Sequence, residues 1–339
     1  MIDPPRRSPE LVVLSGEPFN AETPLHLLSG TITPAEIHYV RSHFAVPAYD
    51  GPLIVDGLVG RELALSMNEL RAMPHVSAAV TLECAGNGRA FLDPPAPGEQ
   101  WRLGAVGTAE WAGVPLRDVL ERAEVGAAAT ELVFVGADRG KHPDEGRQIA
   151  FERSLTVDEA LRGGALLAYS MNGDPLSPDH GAPLRLVVPG AYGMASVKWL
   201  ARITAIAEPF EGFYQRDRYV IEGRPLGPMA VRAVIVAPAD GEQLAAGRIR
   251  VRGYCWSGSD PVAGVEVSCA GIWREAQLGE TPSLHAWSEW RLSWDARPGE
   301  ATLVARARTA GGARQPLEQR RNALGYANNG ARPVRVTVL

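Results

Sequence analysis

The sequence predicts an α+β chain of two domains: a mixed α/β domain over residues 1–228, then an immunoglobulin-like β-sandwich over residues 229–339. Three observations carry this. A chain of 339 residues exceeds what one core comfortably fills, and 45% hydrophobic content supplies two. As far as about Tyr219, strand patterns alternate with short helical ones. Beyond Pro228 nothing reads as helix, and short alternating runs recur between Gly, Pro and Asp.

In the first domain the strand patterns are Leu53 to Val59, Val76 to Glu83 and Leu132 to Gly136. Helical periodicity falls near Ser66 to Ala72, Leu116 to Ala123 and Val157 to Leu161. The connections are long, and the residues with chemical potential sit mostly in them. Gly223 to Pro228 reads as a linker. The sandwich strands are expected at Val231 to Val236, Arg248 to Cys255, Val262 to Val267, Trp287 to Trp294, Ala301 to Arg308 and Val334 to Leu339. Trp256, Trp273, Trp287, Trp290 and Trp294 are enough to fill a sandwich core or to line a dimer seam.

Charge and composition exclude several functions. A net charge of −5 argues against nucleic acid as a standing partner, since phosphate binding needs a surplus of Lys and Arg on one face. No apolar run approaches the roughly 20 residues of a membrane helix, so no membrane partner is expected. Arg6-Arg7 invites a twin-arginine export reading. Leu11 to Leu14 is too short for the apolar core of such a signal, and the chain is expected in the cytoplasm. Cys84, Cys255 and Cys269 include no CxxC pair, which excludes the common structural zinc sites and a disulfide framework. Cys255 and Cys269 fall in strand patterns as small buried residues; a hairpin bridge between them is geometrically open but disfavoured in a reducing compartment.

Cys84 stands apart. It follows the strand Val76 to Glu83 and opens the turn Ala85-Gly86-Asn87-Gly88, whose Gly and Asn cannot continue a strand. A free cysteine is most often a small apolar core residue. Here, however, Arg89 lies just beyond the turn, and backbone N–H groups of a Gly-rich turn converge on anions. Both favour a thiolate held out to meet a metal.

Cys-Ala-Gly-Asn-x-Arg resembles the molybdenum-ligand motif of the sulfite oxidase family of haem-free bacterial type, and other segments match in the same order. Tyr39-Val40-Arg41-Ser42-His43 with Val46-Pro47 is similar to the family's Val-Arg-Asn-His segment, with Ser42 in place of Asn. Leu167 to Gly173 and Asp179 to Gly190 follow the family pattern, as does Ser196-Val197-Lys198-Trp199-Leu200. The resemblance implies a molybdopterin-binding domain followed by a sandwich through which two subunits pair as a homodimer. It also implies a molybdenum–molybdopterin cofactor with Cys84 as the single protein ligand to the metal. Arg41, Ser42, His43, Asp138, His180, Arg185, Ser196, Val197 and Lys198 are then the cofactor-binding residues. Taken alone, Arg185 and Lys198 read as surface charges, and His43 and His180 as structural histidines. His26, His38, His75, His142 and His285 are left as structural or solvated.

For substrate, the resemblance implies Arg41 and Arg89 as anion-binding arginines and Trp111 as a pocket wall, beside Cys84. Two positions depart from the pattern. Phe151 stands where the family has an active-site tyrosine. Leu324 stands where the sandwich tail supplies an arginine, with Arg321 nearby as a replacement charge. The expected activity is two-electron oxidation of sulfite, a small oxyanion, to sulfate by oxo transfer. Electrons then leave to an external acceptor such as a cytochrome, since no Cys-x-x-Cys-His haem motif is present. An S-oxide or N-oxide reductase on the same scaffold is the alternative, favoured by the reduced count of pocket cations. A non-catalytic molybdopterin-binding protein is the third reading.

Overall fold

The computed structural model describes residues 7–143 and 145–339, so Arg6 of the Arg6-Arg7 pair lies outside the described residues. Two five-stranded sheets form the first part of the chain. One is antiparallel and runs Val76–Glu83, Val106–Pro115, Leu166–Met171, with Asp174–Pro175 and Arg185–Val187 both on the last of these. The other is mixed, in the order Leu63–Leu65, Leu53–Gly57, Leu200–Ile206, Glu131–Lys141, Gln148–Thr156; only the pair Leu53–Gly57 with Leu200–Ile206 is parallel.

The helices between them are short and capped. Ser66 caps Met67–Ala72 and Thr156 caps Val157–Arg162. In each the cap oxygen accepts from the amide three residues on, and Glu69 or Glu159 reaches back to the cap amide. Leu116–Ala123 starts after Pro115 and buries Leu116, Val119, Leu120 and Ala123 on one face. The strand from Leu53 ends at Gly57, not Val59, because Gly57 has φ 86° and any Cβ there would meet the Ala205 carbonyl oxygen at 2.3 Å. The strand expected to stop at Gly136 continues to Lys141 through a bulge between Val135 and Arg139. Asp138 sits in that bulge and not in a strand-ending turn.

The Gly223–Pro228 linker is partly a hairpin. Val220–Ile221 pairs with Arg224–Pro225 across Glu222 and Gly223, both at positive φ, as a tight hairpin of this hand requires. Beyond it two sheets face each other. One holds Arg232–Ala237, Gly247–Trp256, Ser288–Ala296 and Gln277–Leu278; the other holds Glu242–Leu244, Val334–Val338, Gly299–Thr309, Val262–Cys269 and Ile272–Glu275. Between them lie Val251, Trp290, Val265, Val267, Leu303 and Val336. Cys255 and Cys269 are free, buried and on opposite sheets, so they are not a hairpin pair. Trp256, Trp287, Trp290 and Trp294 are buried, whereas Trp273 is 38% exposed. Among the described residues, no helix is long and apolar enough to cross a membrane.

Candidate active site

Cys84 directly follows the strand Val76–Glu83, where the two parts of the chain meet. Its amide donates to the Ala105 carbonyl at 2.9 Å, and its carbonyl accepts from the Asn87 amide at 2.9 Å. Glycine is required in this turn. Gly88 has φ 90°, and a Cβ on Gly86 would strike the Arg89 guanidinium at 2.6 Å. The thiol itself is 7% exposed. In the absence of a metal, burial raises the Cys84 pKa. Arg41, the Gly86 amide and Arg89 oppose that shift without cancelling it. Unliganded Cys84 is therefore a thiol, and its ionisation belongs to the metal-bound state.

Cys84 lines two adjoining pockets together with Arg41, His43 and Tyr219. The inner one has a cavity volume of about 70 Å³. It gathers Ser42, His43, Asp138, His180, Arg185, Ser196 and Lys198 from separate connections and strand ends. Lys198 Nζ donates to Ser42 Oγ at 2.7 Å and to the Asp179 carbonyl at 2.8 Å. Arg185 donates to the carbonyls of His180 at 3.0 Å and Ser196 at 3.1 Å, with its guanidinium 4.7 Å from the Trp111 ring centre. Asp179 is gripped from outside the pocket by Arg7, at 2.6 and 2.8 Å. Arg185 is thus buried rather than a surface charge, and Lys198 is half-buried in the pocket wall.

Burial controls the ionisation of this pocket. It pushes the Asp138 carboxyl up to about 7 against the pull of Lys198, and it brings the Lys198 ammonium down to about 7. His43 and His180 are both lowered well below the usual histidine range by burial, so both are neutral at pH 7. His43 Nε2 lies 2.9 Å from the Tyr219 hydroxyl, and its ring stacks on Phe151 at 4.8 Å.

The outer pocket has a cavity volume of about 350 Å³ and is lined by Arg41, Arg89, Trp101, Arg218, Tyr214 and Tyr326, with Leu324 beside them. Several assignments change here. Trp111 lines neither pocket: it is fully buried under Arg185, and its indole N–H donates to the Val80 carbonyl at 3.3 Å. The wall tryptophan is Trp101, whose Nε1 is buried without a partner among the described residues. Val197 turns its side chain into the core, and only its neighbours Ser196 and Lys198 reach the pocket. Arg321 is exposed and lines neither pocket. His38, read as structural or solvated, lines the inner pocket 5.3 Å from His180. Tyr219 and Arg218 had no motif to mark them; the aromatic-rich run Phe210 to Tyr219 was the available signal.

A lone thiol between a cation-lined inner pocket and an arginine-bearing outer one, at the junction of a mixed domain and a sandwich, defines a molybdopterin-binding oxidoreductase. Residues 43–214 match the family model described as the oxidoreductase molybdopterin binding domain, and residues 225–338 match the Mo-co oxidoreductase dimerisation domain. The chain is 36% identical over 332 residues to mitochondrial sulfite oxidase of Homo sapiens, covering 89% of this chain and 60% of that one. Identity to the sulfite oxidase of Arabidopsis thaliana is 34% over 317 residues, covering 84% of this chain and 80% of that one. The sulfane dehydrogenase SoxCD of Paracoccus pantotrophus superimposes with a TM-score of 0.83 at 28% identity, covering 94% of this chain and 84% of that one. The chain belongs to the sulfite oxidase family of molybdenum-cofactor oxidoreductases. It spans about 60% of the length of the mitochondrial relatives it matches.

The residues present fit a molybdenum–molybdopterin cofactor. Asp138 Oδ1 is buried without a hydrogen-bond partner among the described residues, an acceptor suited to ring N–H groups. Lys198 and Arg185 bring positive charge for a phosphate, and Cys84 offers the single soft ligand.

Proposed function

We propose that this chain oxidises sulfite to sulfate in a molybdopterin-dependent, two-electron oxo transfer, passing the electrons to an external acceptor such as a cytochrome. The observation that carries the proposal is the position of Cys84 at the junction of the two pockets, beside Arg41 and with Arg89 and Arg218 in the outer one. Ser42, His43, Asp138, His180, Arg185, Ser196 and Lys198 hold the cofactor. When bound, the cofactor supplies the oxygen transfer and takes up the two electrons. The chain gathers the anion and shapes the pocket around it. Arg41, Arg89 and Arg218 offer positive charge, and Trp101, Tyr214 and Tyr326 wall the pocket against bulk water.

Losing the tail arginine at Leu324 removes a charge-assisted hydrogen bond worth about 1.5–3 kcal/mol. Arg218 offsets that loss from a different element. The reductase alternative drew on a shortage of pocket cations, and with Arg218 counted that argument weakens. The sandwich is the proposed surface for pairing two copies, in line with the dimerisation domain it matches. The test is sulfite-dependent reduction of ferricyanide by molybdenum-replete protein. Turnover supports the proposal; silence from fully loaded protein would redirect the site to another oxyanion or oxide.

A further inference from the structure

The turn that carries Cys84 follows a strand of the first domain, yet its polar groups are held from the sandwich side. Arg232, at the start of the strand Arg232–Ala237, forms an ion pair with Glu83 in which the side chains are 3% and 2% exposed. The second carboxylate oxygen of Glu83 accepts from Trp256 Nε1 at 2.8 Å, and Asn87 Nδ2 donates to the first at 2.9 Å. The main chain is tied as well. The Ala327 amide donates to the Ala85 carbonyl at 2.8 Å, and Asn328 Nδ2 donates to the Gly88 carbonyl at 2.9 Å. From Glu83 to Gly88 the turn is thus clamped by Arg232, Trp256, Ala327 and Asn328.

A buried ion pair adds little net stability, because desolvating both charges offsets their attraction; breaking one partner is costly. Such a pair does fix geometry. Glu83 adjoins Cys84, so holding its carboxylate holds the Cα from which the thiol projects. A Cβ on Gly88 would meet Arg232 Nη2 at 2.9 Å, which shows how closely the guanidinium backs the turn.

We propose that the Glu83–Arg232 pair is a positioning device that orients Cys84, so that the sandwich is a working part of the active site and not only a pairing surface. The inference rests on Cys84 being the metal ligand. It is tested in the full chain with Glu83→Gln, Arg232→Gln and the double variant, by amide hydrogen exchange over residues 84–89 and by turnover of molybdenum-loaded enzyme.

Each single variant leaves a buried group unmatched and should raise exchange in that segment about tenfold or more, with kcat lowered and KM for sulfite little changed. The double variant, whose two amides pair without charge, should return both toward wild type. Wild-type exchange and kcat in both single variants would overturn the proposal. So would a uniform rise in exchange across the chain with kcat intact, which marks a role in folding alone. Should Arg232→Gln not fold, Glu83→Gln alone carries the test, and wild-type exchange and kcat in it would overturn the proposal. The same exchange pattern across the variants, in a chain whose wild type binds no molybdenum, would keep the clamp and remove Cys84 as ligand.

Discussion

Arg89 donates from Nε and from Nη2 to one acceptor, the carbonyl of Leu324, at 3.2 and 3.1 Å, joining residues 235 positions apart. Its Nη1 donates to the Glu99 carbonyl at 2.9 Å, and its guanidinium lies 5.1 Å from the centre of the Tyr326 ring. The leucine that replaces a cation thus contributes its main chain, and Arg89 is held rigid at the pocket wall. Replacing Arg89 with Gln strands these carbonyls and should cost about 1–3 kcal/mol. Thermal unfolding should show a fall of several degrees, at roughly 2–4 °C per kcal/mol for domains of this size. An unchanged melting temperature would mean that the three hydrogen bonds are not holding the tail.

Arg218 is differently placed. Its Nη1 donates to the neighbouring Asp217 carbonyl at 3.1 Å, and its guanidinium lies 4.7 Å from the Phe213 ring centre at the edge of the outer pocket. Arg218→Ala should raise the KM for sulfite by about tenfold to a hundredfold, the worth of one charge-assisted hydrogen bond, with kcat less affected. Arg321→Ala, at an exposed position outside both pockets, should leave KM where it was. Steady-state kinetics of the two variants side by side decides which arginine serves the anion.

The Asp138–Lys198 pair makes the stability of cofactor-free protein depend on pH in two directions. The Asp138 pKa is raised from 3.8 to about 7 by burial, so between those values the folded state keeps a proton that the unfolded state releases, and stability falls as pH rises. The Lys198 pKa is lowered from 10.5 to about 7, so from pH 7 upward the unfolded state holds the extra proton and stability climbs again. These two groups together place a minimum near pH 7. Urea unfolding of wild type and Asp138→Asn across pH 5–9 checks this: the variant should lose the falling limb below pH 7 and keep the rise above it.

The fold was largely legible because its signals are local. Ser66 with Glu69 and Thr156 with Glu159 announce helix starts, and the strand Val76–Glu83 is β-branched and ends in Gly-rich sequence. The motif residues of the inner pocket were legible for a related reason: each lies in a short run whose order is itself the signal. What stayed hidden depends on tertiary geometry. Trp111 alternates correctly for a strand, but which face meets a pocket is decided by Arg185 lying over its ring. The bulge that turns Asp138 inward leaves no mark in periodicity. Arg232 reads as one charged residue in an apolar strand until Glu83, 149 positions earlier, is found beneath it. At Cys84 the neighbouring cations are visible in sequence, and the desolvation that opposes them in the unliganded thiol is not.

Cys84→Ser separates the thiol's chemistry from its place in the fold. Cys84 is buried in an apolar cluster with Tyr39, Leu82 and Trp101, so an unpartnered serine hydroxyl there costs about 1–3 kcal/mol and the melting temperature should fall by several degrees with the fold kept. Serine oxygen is a harder, far weaker acid and does not replace a soft thiolate at this metal. Cys84 is one lining residue of the inner pocket, and Lys198, Arg185 and Asp138, the proposed pterin-holding groups, are unchanged in the variant, so the pterin should still be retained. Sulfite turnover should be abolished. The measurements are released pterin fluorescence, molybdenum content and ferricyanide reduction on the same preparation. Cys255 and Cys269 are buried in the sandwich, on sheets that contribute nothing to either pocket through those residues, and cannot take over. Substantial turnover with serine at position 84 would therefore mean that the metal is held without a protein thiolate, and the site would have to be rebuilt around the cofactor alone.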